Sequence, residues 1–339
     1  MAGATNTIRV RGLVRTFKGV TAVDGVDLDV GPGEVRGFLG PNGAGKSTTV
    51  AMLVTLIRPT GGSAEVAGFD VVRQAADVRR AIGVALQDVA LDGALTAREH
   101  ARLQGALHGL PGRRRTARAD EMLERFGLAA VGDRRVGGFS GGMKRRLDLA
   151  LALIHRPTVL FLDEPTTGLD IQSRTALWAE VRSLALDDGV TVFLTTQYLE
   201  EADALADRVD IIDGGQLVAS GTPAELKAQL GRPTLLVRPT RVSHAAGLAA
   251  TLADFGEPAI TGGGTEGVHL RPGVGLAEVV RALDGRGIAV DELSLQGPSL
   301  DDVFLAKTGR TLEGSGPAGP GGGPPAGDAA GDRDGELVP

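Results

Sequence analysis

The sequence predicts an α/β fold in which helices cover a mostly parallel sheet, followed by a small α+β domain and a disordered tail. From residue 8 to about 230, apolar strand-like runs alternate with helical patterns, as in layered α/β domains. Val35–Leu39 is one buried run, and Thr158–Leu162 and Val190–Thr196 lack the polar alternation of half-exposed strands. The 339 residues are enough for about two domains at roughly 150 residues each.

The order of elements gives the domain organisation. Lys46–Ile57 is predicted as a helix, and Thr96–Leu107 and Thr116–Phe126 predict a helical subdomain at about residues 88–140. Arg208–Asp213 and Gln216–Ser220 predict a hairpin, after which Thr222 and Pro223 begin a helix. We therefore expect a first domain over residues 1–230.

A second, accessory domain is predicted over residues 231–310, with Gly231–Pro233 as its boundary. Its pattern is strand, helix, strand, strand, helix, strand, helix, and the helices are Ser243–Leu252, Leu276–Leu283 and Ser299–Ala306. Residues 311–339 contain nine glycines and five prolines and are predicted to be a disordered tail.

Composition excludes several classes of protein. The net charge of −6 argues against a nucleic-acid partner, because nucleic-acid-binding domains usually carry a basic stripe. There is no cysteine, hence no disulfide framework. We find no signal-like N-terminus and no apolar stretch near the roughly 18 residues of a membrane span. A role at a membrane would therefore need a partner protein.

The segment Gly40–Ser47 matches the phosphate-loop pattern G-x-x-x-x-G-K-[ST] in full. Its glycines let successive backbone N–H groups converge on phosphates, and the following helix adds its positive end. Lys46 is predicted to contact the β- and γ-phosphates, and Ser47 to offer an oxygen to Mg²⁺.

Two carboxylates follow the apolar run at residues 159–162. Asp163 is predicted to lie at the C-terminal edge of a buried strand, beside the phosphate loop, where it can position the metal ion. Glu164 is suited to polarise or deprotonate the attacking water.

A Ser-Gly-Gly helix start lies about 20 residues before these acids. Ser140 is a natural N-cap for a helix that Arg156-Pro157 ends. Gly141 and Gly142 leave N–H groups uncovered at a helix N-terminus, which is an anion site.

In this order and spacing, the three motifs resemble the nucleotide-binding subunit of an ATP-binding cassette (ABC) transporter, over roughly residues 8–225. The resemblance implies a P-loop ABC ATPase core that binds ATP and Mg²⁺ and works as a head-to-tail homodimer on an integral-membrane permease. Gln87 then matches the glutamine that links the metal site to the helical subdomain, and Asp170 lies in the loop that crosses the dimer interface. Phe17 takes the place of the aromatic residue that stacks on adenine.

The predicted site residues are those at which this sequence matches the motifs of the family. The resemblance implies that Glu164, Lys46 and Gln197 are catalytic and that Ser47, Gln87 and Asp163 form the metal site. The nucleotide-binding residues are Phe17, Gly40, Pro41, Asn42, Gly43, Ala44, Gly45, Lys46, Ser47, Thr48, Gln87, Ser140, Gly141, Gly142, Asp163 and Asp170.

Two longer stretches narrow the resemblance. Phe139–Asp148 and Leu194–Asp203 are similar to the daunorubicin/doxorubicin-resistance ATP-binding subunits, as is Ser299–Phe304. The resemblance implies an exporter of drugs or other hydrophobic compounds, attached to the cytoplasmic side of the membrane through its permease. An exporter of lipid, polysaccharide or peptide, an importer subunit, and a soluble non-transport ABC ATPase are the alternatives.

Two positions depart from the superfamily pattern. Met143 stands where a glutamine is usual, and Gln197 stands where a histidine is usual. A glutamine amide can donate a hydrogen bond to a γ-phosphate oxygen, but unlike a histidine it cannot titrate or carry a positive charge. The five histidines, at positions 100, 108, 155, 244 and 269, show no metal-ligand spacing.

Overall fold

The computed structural model describes residues 6–87, 90–230, 233–241, 245–259, 261, 264–271 and 273–310. In chain order the strands are β1 (Ile8–Phe17), β2 (Val20–Val30), β3 (Val35–Leu39), β4 (Gly61–Val66), β5 (Phe69–Asp70), β6 (Ile82–Ala85), β7 (Val159–Asp163), β8 (Thr191–Thr196), β9 (Arg208–Asp213), β10 (Gln216–Gly221), β11 (Thr234–Pro239), β12 (Gly256–Ala259), β13 (Glu266–Leu270) and β14 (Val290–Gln296). The helices are α1 (Lys46–Leu53), α2 (Ala75–Ala81), α3 (Ala97–Leu107), α4 (Gly112–Arg125), α5 (Gly141–Ala152), α6 (Ile171–Leu186), α7 (Leu199–Leu205), α8 (Pro223–Ala228), α9 (Ala245–Ala253), α10 (Leu276–Gly285) and α11 (Leu300–Thr308).

The central sheet of the described chain has the strand order β10-β9-β3-β8-β7-β6. Strands β9, β3, β8, β7 and β6 run parallel, and β10 is an antiparallel edge strand. Every residue of β3, β7 and β8 is buried, which explains their continuous apolar character. The predicted α/β core is confirmed.

Parallel pairing brings distant motifs to one edge of this sheet. Leu39 pairs with Thr196, and Asp163 pairs with Thr195, so the three strands end side by side. The phosphate loop, Glu164 and Gln197 each follow one of these strand ends, and Asp163 is the last residue of β7. Ligands of open α/β sheets bind outside the carboxyl ends of their strands.

A second, antiparallel sheet has the order β2-β1-β4-β5. The sequence predicted strands and helices in alternation here but not a separate sheet. Its apolar side chains, including Ile8 and Val66, pack in one cluster with Met52 and Leu53 of α1. The sheet thus supports the helix that follows the phosphate loop.

The helical region between β6 and β7 contains α3, α4 and α5. Ala101, Met122 and Leu147, one from each helix, are buried in a shared core. Helix α4 begins four residues earlier than predicted, with Pro111 as its N-cap. Helix α1 ends at Leu53 rather than Ile57, because Thr55 adopts a left-handed backbone with φ of 66°.

The accessory region has a four-stranded antiparallel sheet within the described residues, in the order β12-β13-β11-β14. Helices α9 and α10 contribute Leu248, Leu252, Val279 and Leu283 to its core. Helix α11 packs elsewhere: Leu300, Val303 and Phe304 are buried with residues of α7, α8 and β9. The last helix of the predicted accessory domain therefore contacts the first domain. The predicted tail at residues 311–339 lies outside the described residues.

Among the described residues, no helix has the length and apolar character that crossing a membrane requires.

Candidate functional site

The phosphate loop connects β3 to α1, and its glycines are required by close backbone contacts. A Cβ atom on Gly40 would lie 2.4 Å from the carbonyl oxygen of Ile212. Gly45 has φ of 107°, and a Cβ there would lie 2.5 Å from the carbonyl oxygen of Ala22. A side chain at either position would force this loop away from its support.

Lys46 connects the loop to the acidic strand end. Its side chain is only 4% exposed, and Nζ donates to the carbonyl oxygens of Gly40 at 2.8 Å and Pro41 at 3.2 Å. Nζ also lies 3.3 Å from Oε1 of Glu164. An ammonium held at the loop in this way is suited to contact phosphate oxygens.

Asp163 lies at the end of β7, where its Oδ1 accepts a hydrogen bond from Ser47 Oγ at 3.3 Å. Oδ1 also accepts a short hydrogen bond from the hydroxyl of Thr195 on β8. A serine hydroxyl and a carboxylate are therefore adjacent at the N-terminus of α1. These oxygens are the donor types that Mg²⁺ prefers, so this pair fits the metal ion that the sequence implies.

Glu164 has an unusual backbone conformation for a residue with a side chain, with φ of 46°. Its N–H donates to the carbonyl and the hydroxyl of Thr195, both at 3.1 Å. Its Oε2 accepts from Thr167 Oγ1 at 3.3 Å, and the residue is 8% exposed. Left-handed residues of this kind cluster at functional sites, where the surroundings hold them in place.

A cavity of about 270 Å³ opens above the phosphate loop. Gln87, which is exposed, and Glu164 line it together with Ala22 and residues of the loop. Of the predicted site, the structure thus brings together Pro41, Asn42, Gly43, Gly45, Lys46, Ser47, Thr48, Gln87 and Glu164 around one space.

Gln197 follows β8 directly and is partly buried. The carbonyl of its neighbour Thr196 accepts from the N–H of Gly40 at 3.4 Å. Gln197 therefore directly follows a residue that is hydrogen-bonded to the first glycine of the phosphate loop.

Ser140 is the N-cap of α5, and its Oγ accepts from the N–H of Met143 at 3.3 Å. A Cβ on Gly141 would have no heavy atom within 4 Å, so the helix N-terminus is open on this side. Ser140, Gly141 and Gly142 are not among the described residues that line the phosphate-loop cavity of the same chain. The structure does not bring this predicted part of the site to the loop within one chain.

Asp170 caps α6 through Ser173, accepting from its N–H at 2.8 Å and its hydroxyl at 2.7 Å. The backbone hydrogen bond from Ser173, more than any other interaction, lowers the pKa of Asp170. A Cβ on Gly142 would lie 3.0 Å from the same Ser173 hydroxyl. The segment of Asp170 and the Ser140 segment are therefore neighbours.

Phe17 ends β1 and is 41% exposed. The guanidinium of Arg15 lies 4.3 Å from its ring centroid, a cation–π contact. The ring is exposed and is not part of the hydrophobic core. Its role in adenine stacking stays a prediction.

Sequence reasoning missed an apolar groove between the central sheet and the helical region, which we call the Leu86 groove. Its volume is about 460 Å³, and its apolar lining includes Val54, Leu56, Val84, Leu86, Ala90 and Leu151. Asp148 is a polar lining residue, and burial raises its pKa to about 6, against the opposing effect of Arg145. Leu86 directly precedes Gln87, so the groove adjoins the phosphate-loop cavity.

Two histidines that the sequence left unassigned stack in this groove. The rings of His108 and His155 are parallel within 5°, and their centroids are 3.7 Å apart. His155 Nε2 lies 2.9 Å from the carbonyl oxygen of Ile82. Burial, followed by the neighbouring charge of His108, lowers the pKa of His155 to about 4. The histidine spacing in the sequence, 47 residues, gave no sign of this pair.

Replacing His155 with Gln is expected to reduce the loss of stability on acidification. Between pH 6.5 and 4 the unfolded chain binds a proton at His155 that the folded chain does not, so stability falls as the pH falls through this window. Gln cannot titrate, and its amide can still donate to Ile82. By urea unfolding at pH 7.5 and 5, we expect the variant to lose about 1–2 kcal/mol less than the wild type, after allowance for partial solvent contact.

His269→Gln, on the exposed side of β13, is the matched control and should lose as much stability as the wild type. Equal losses in His155→Gln and the wild type would contradict the assignment of this pH dependence to His155.

Comparisons with known proteins agree with the predicted family and fold. A family model described as ABC transporter matches residues 23–167. A second, described as ATP-binding protein DrrA1-3-like, C-terminal domain, matches residues 221–308. The dimeric structure of MJ0796, a bacterial ABC transporter cassette, covers 63% of this chain and 98% of its own, with 26% identity and a TM-score of 0.59.

The fold and these matches define an ATP-hydrolysing protein of the ATP-binding cassette class. The chain is 48% identical over 312 residues to the daunorubicin resistance ATP-binding protein DrrA3 of Streptomyces coeruleorubidus, covering 90% of this chain and 97% of the relative. It is 45% identical over 318 residues, 91% of this chain and 94% of the relative, to the daunorubicin/doxorubicin resistance ATP-binding protein DrrA of Streptomyces peucetius. It belongs to the family of daunorubicin/doxorubicin-resistance ATP-binding proteins.

Proposed function

We propose that this chain is the ATP-hydrolysing subunit of an exporter of drugs or antibiotics of the daunorubicin type. It acts as a homodimer on the cytoplasmic side of the membrane, bound to a separate permease. The observation that carries the proposal is identity of 45–48% to two drug-resistance ATP-binding proteins over nearly their whole length.

The separation of the two halves of the site supports a dimer. Ser140–Gly142 is absent from the described lining of the chain's own phosphate-loop cavity, and the N-terminus of α5 is open. In a head-to-tail dimer, Ser140 and Gly142 of one copy close over the γ-phosphate held by the other copy's loop. That one of the similar cassettes has a dimeric structure supports a dimer.

Within each site, Lys46 and the loop N–H groups bind the phosphates, and Glu164 acts on the attacking water. The position of Glu164 supports this role, because its carboxylate lines the cavity and lies 3.3 Å from Lys46. Ser47 and Asp163, with Gln87 beside them, would hold Mg²⁺, which supplies charge neutralisation for the phosphates. Hydrolysis then opens the dimer.

Gln197 orients the γ-phosphate through its side-chain amide. Gln197→Ala is expected to lower kcat about 10²–10³-fold, because the donor to the phosphate is lost. Gln197→His keeps a donor and should lose much less. Steady-state ATPase assays of both variants make the comparison, and a larger loss in Gln197→His than in Gln197→Ala would reject this role.

The Leu86 groove is the surface that receives the permease. Most of its lining residues are apolar, Leu56 among them is 63% exposed, and the groove lies between the helical region and the segment of Gln87. The motion that opens the dimer would therefore be transmitted through Gln87 and the helical region to a permease segment in the groove. An amphipathic helix fits such a groove.

The identity of the transported compound is tested in the complex of this chain with its permease. Co-expression with the six-span hydrophobic protein expected from a neighbouring reading frame should give a complex whose ATPase is stimulated by daunorubicin or doxorubicin. Stimulation by lipid, polysaccharide or peptide instead would favour the alternative exporter. Failure to associate with any permease would favour a soluble, non-transport ATPase.

A further inference from the structure

The Arg145 side chain contacts the loop of Glu164, although Arg145 is not one of the predicted nucleotide-binding residues. It extends from the second turn of α5, and its guanidinium is almost fully buried, with 6% of the side chain exposed. Nε donates to the carbonyl of Pro165 at 2.9 Å, and Nη2 donates to the carbonyl of Asp163 at 3.2 Å. These two carbonyls lie on either side of Glu164 in the chain.

The remaining donors of Arg145 contact two other segments. Nη1 donates to the carbonyl of Leu86 at 2.6 Å, just before Gln87. Nη1 also lies 3.3 Å from Oδ2 of Asp148, one turn further along α5. One guanidinium therefore joins the helix that begins at Ser140, the segment of Gln87 and the loop of Glu164.

The loop of Glu164 needs such support because its backbone is strained. Glu164 has φ of 46°, a conformation that residues with side chains rarely adopt. On the strand side, the carbonyl and hydroxyl oxygens of Thr195 accept hydrogen bonds from the Glu164 N–H. On the helix side, Arg145 fixes the carbonyls before and after Glu164, so both sides of the strained residue are held.

We propose that Arg145 is a positioning residue for ATP hydrolysis, which fixes the loop of Glu164 and couples it to the segments of Gln87 and Ser140. Asp148 holds the guanidinium in its orientation. The proposal rests on Glu164 acting on the attacking water. Arg145 does not line the phosphate-loop cavity among the described residues, so it acts through Glu164 rather than on ATP.

Only an arginine side chain can make this set of contacts. Its planar fork presents donors on three nitrogens in fixed directions, whereas a lysine presents its donors from one atom. Lysine can keep the buried charge beside Asp148 but cannot reach the carbonyls of Leu86, Asp163 and Pro165 together. The Arg145→Lys variant therefore separates charge from geometry.

The test compares Arg145→Lys with Arg146→Lys in the full chain. Arg146 is the next residue of α5, and its Nη1 contacts the carbonyl of Phe126, away from the site. We expect Arg145→Lys to lower kcat for ATP about 10–100-fold with KM and equilibrium ATP affinity within twofold of the wild type. Arg146→Lys should keep kcat within twofold. A loss of ATP affinity equal to the loss of kcat would overturn the positioning role, as would an unchanged kcat.

A second arm asks whether Arg145 acts through Glu164. In the Glu164→Gln chain the base is gone, so adding Arg145→Lys should change the residual rate less than threefold. A further loss as large as in the wild-type background would overturn the proposal. Full turnover in Glu164→Gln alone would instead overturn the assignment of the base, so the two failures are distinguishable.

If Arg145→Lys does not fold, Asp148→Asn tests the contact between Arg145 and Asp148 by changing the carboxylate instead of the guanidinium. Asn has nearly the same shape but no charge to hold the guanidinium. A fall in kcat of threefold or more at unchanged KM supports the proposal, and an unchanged kcat overturns it.

Discussion

Replacing Glu164 with Gln is expected to lower kcat for ATP hydrolysis by about 10²–10⁴-fold, the range for loss of a general base. Gln has the size of Glu, so it fits a residue that is 8% exposed and keeps an oxygen for the contact with Lys46. ATP binding should stay intact, because the phosphate loop is unchanged. Bound ATP that is not hydrolysed should then trap a stable dimer.

The measurements are steady-state ATPase, equilibrium ATP binding, and size-exclusion chromatography with light scattering in ATP and Mg²⁺. Glu200→Gln is the matched control, since Glu200 is an exposed acid three residues after Gln197. It should behave as the wild type in all three assays. Full turnover in Glu164→Gln would reject Glu164 as the base.

Replacing Gly141 with Asp is expected to lower ATPase activity at least about 100-fold, the scale of losing an electrostatic contact to the reacting phosphate. A side chain at Gly141 meets no heavy atom within 4 Å, and an acid in the first turn of α5 is favourable for the helix. The variant should therefore fold normally. In the dimer, its carboxylate would repel the γ-phosphate bound to the other copy. Gly141→Ala adds no charge and should keep most of the activity.

A mixing experiment tests whether the two halves of each site come from different copies. Lys46→Ala impairs the phosphate loop, and Gly141→Asp impairs the helix N-terminus. A head-to-tail dimer of one copy of each variant contains one intact site. In the Glu164→Gln background, we expect an ATP-dependent dimer from the mixture but not from either variant alone. No ATP-dependent dimer in the mixture would contradict the shared site.

The two experiments separate the chemistry from the assembly. Glu164→Gln tests a group within one chain, whose contacts to Lys46 and Thr195 lie within the described structure. Gly141→Asp tests a surface that is open in the single chain and that would close only in the proposed dimer. A cassette that hydrolyses ATP as a monomer would respond to the first variant and not to the second.

Local features of the chain were predictable from the sequence alone, because they depend on neighbouring residues. The phosphate loop follows β3, and Ser140 and Thr222 cap α5 and α8. Continuous apolar runs predicted the buried parallel strands, and the motif order predicted the family. The roles of the individual site residues stay predictions until the variants are measured.

Contacts between distant segments were decided only by the tertiary structure. Packing of the strands, which periodicity does not encode, brings Lys46 to Glu164 and Arg145 to three backbone carbonyls. It also stacks His108 on His155 and returns α11 to α7 and α8. Sequence patterns report which face of an element is apolar, but which donor meets which carbonyl depends on how the elements pack. The sequence by itself therefore determined the class of protein and its motifs, and the tertiary structure decided how the Glu164 loop is held.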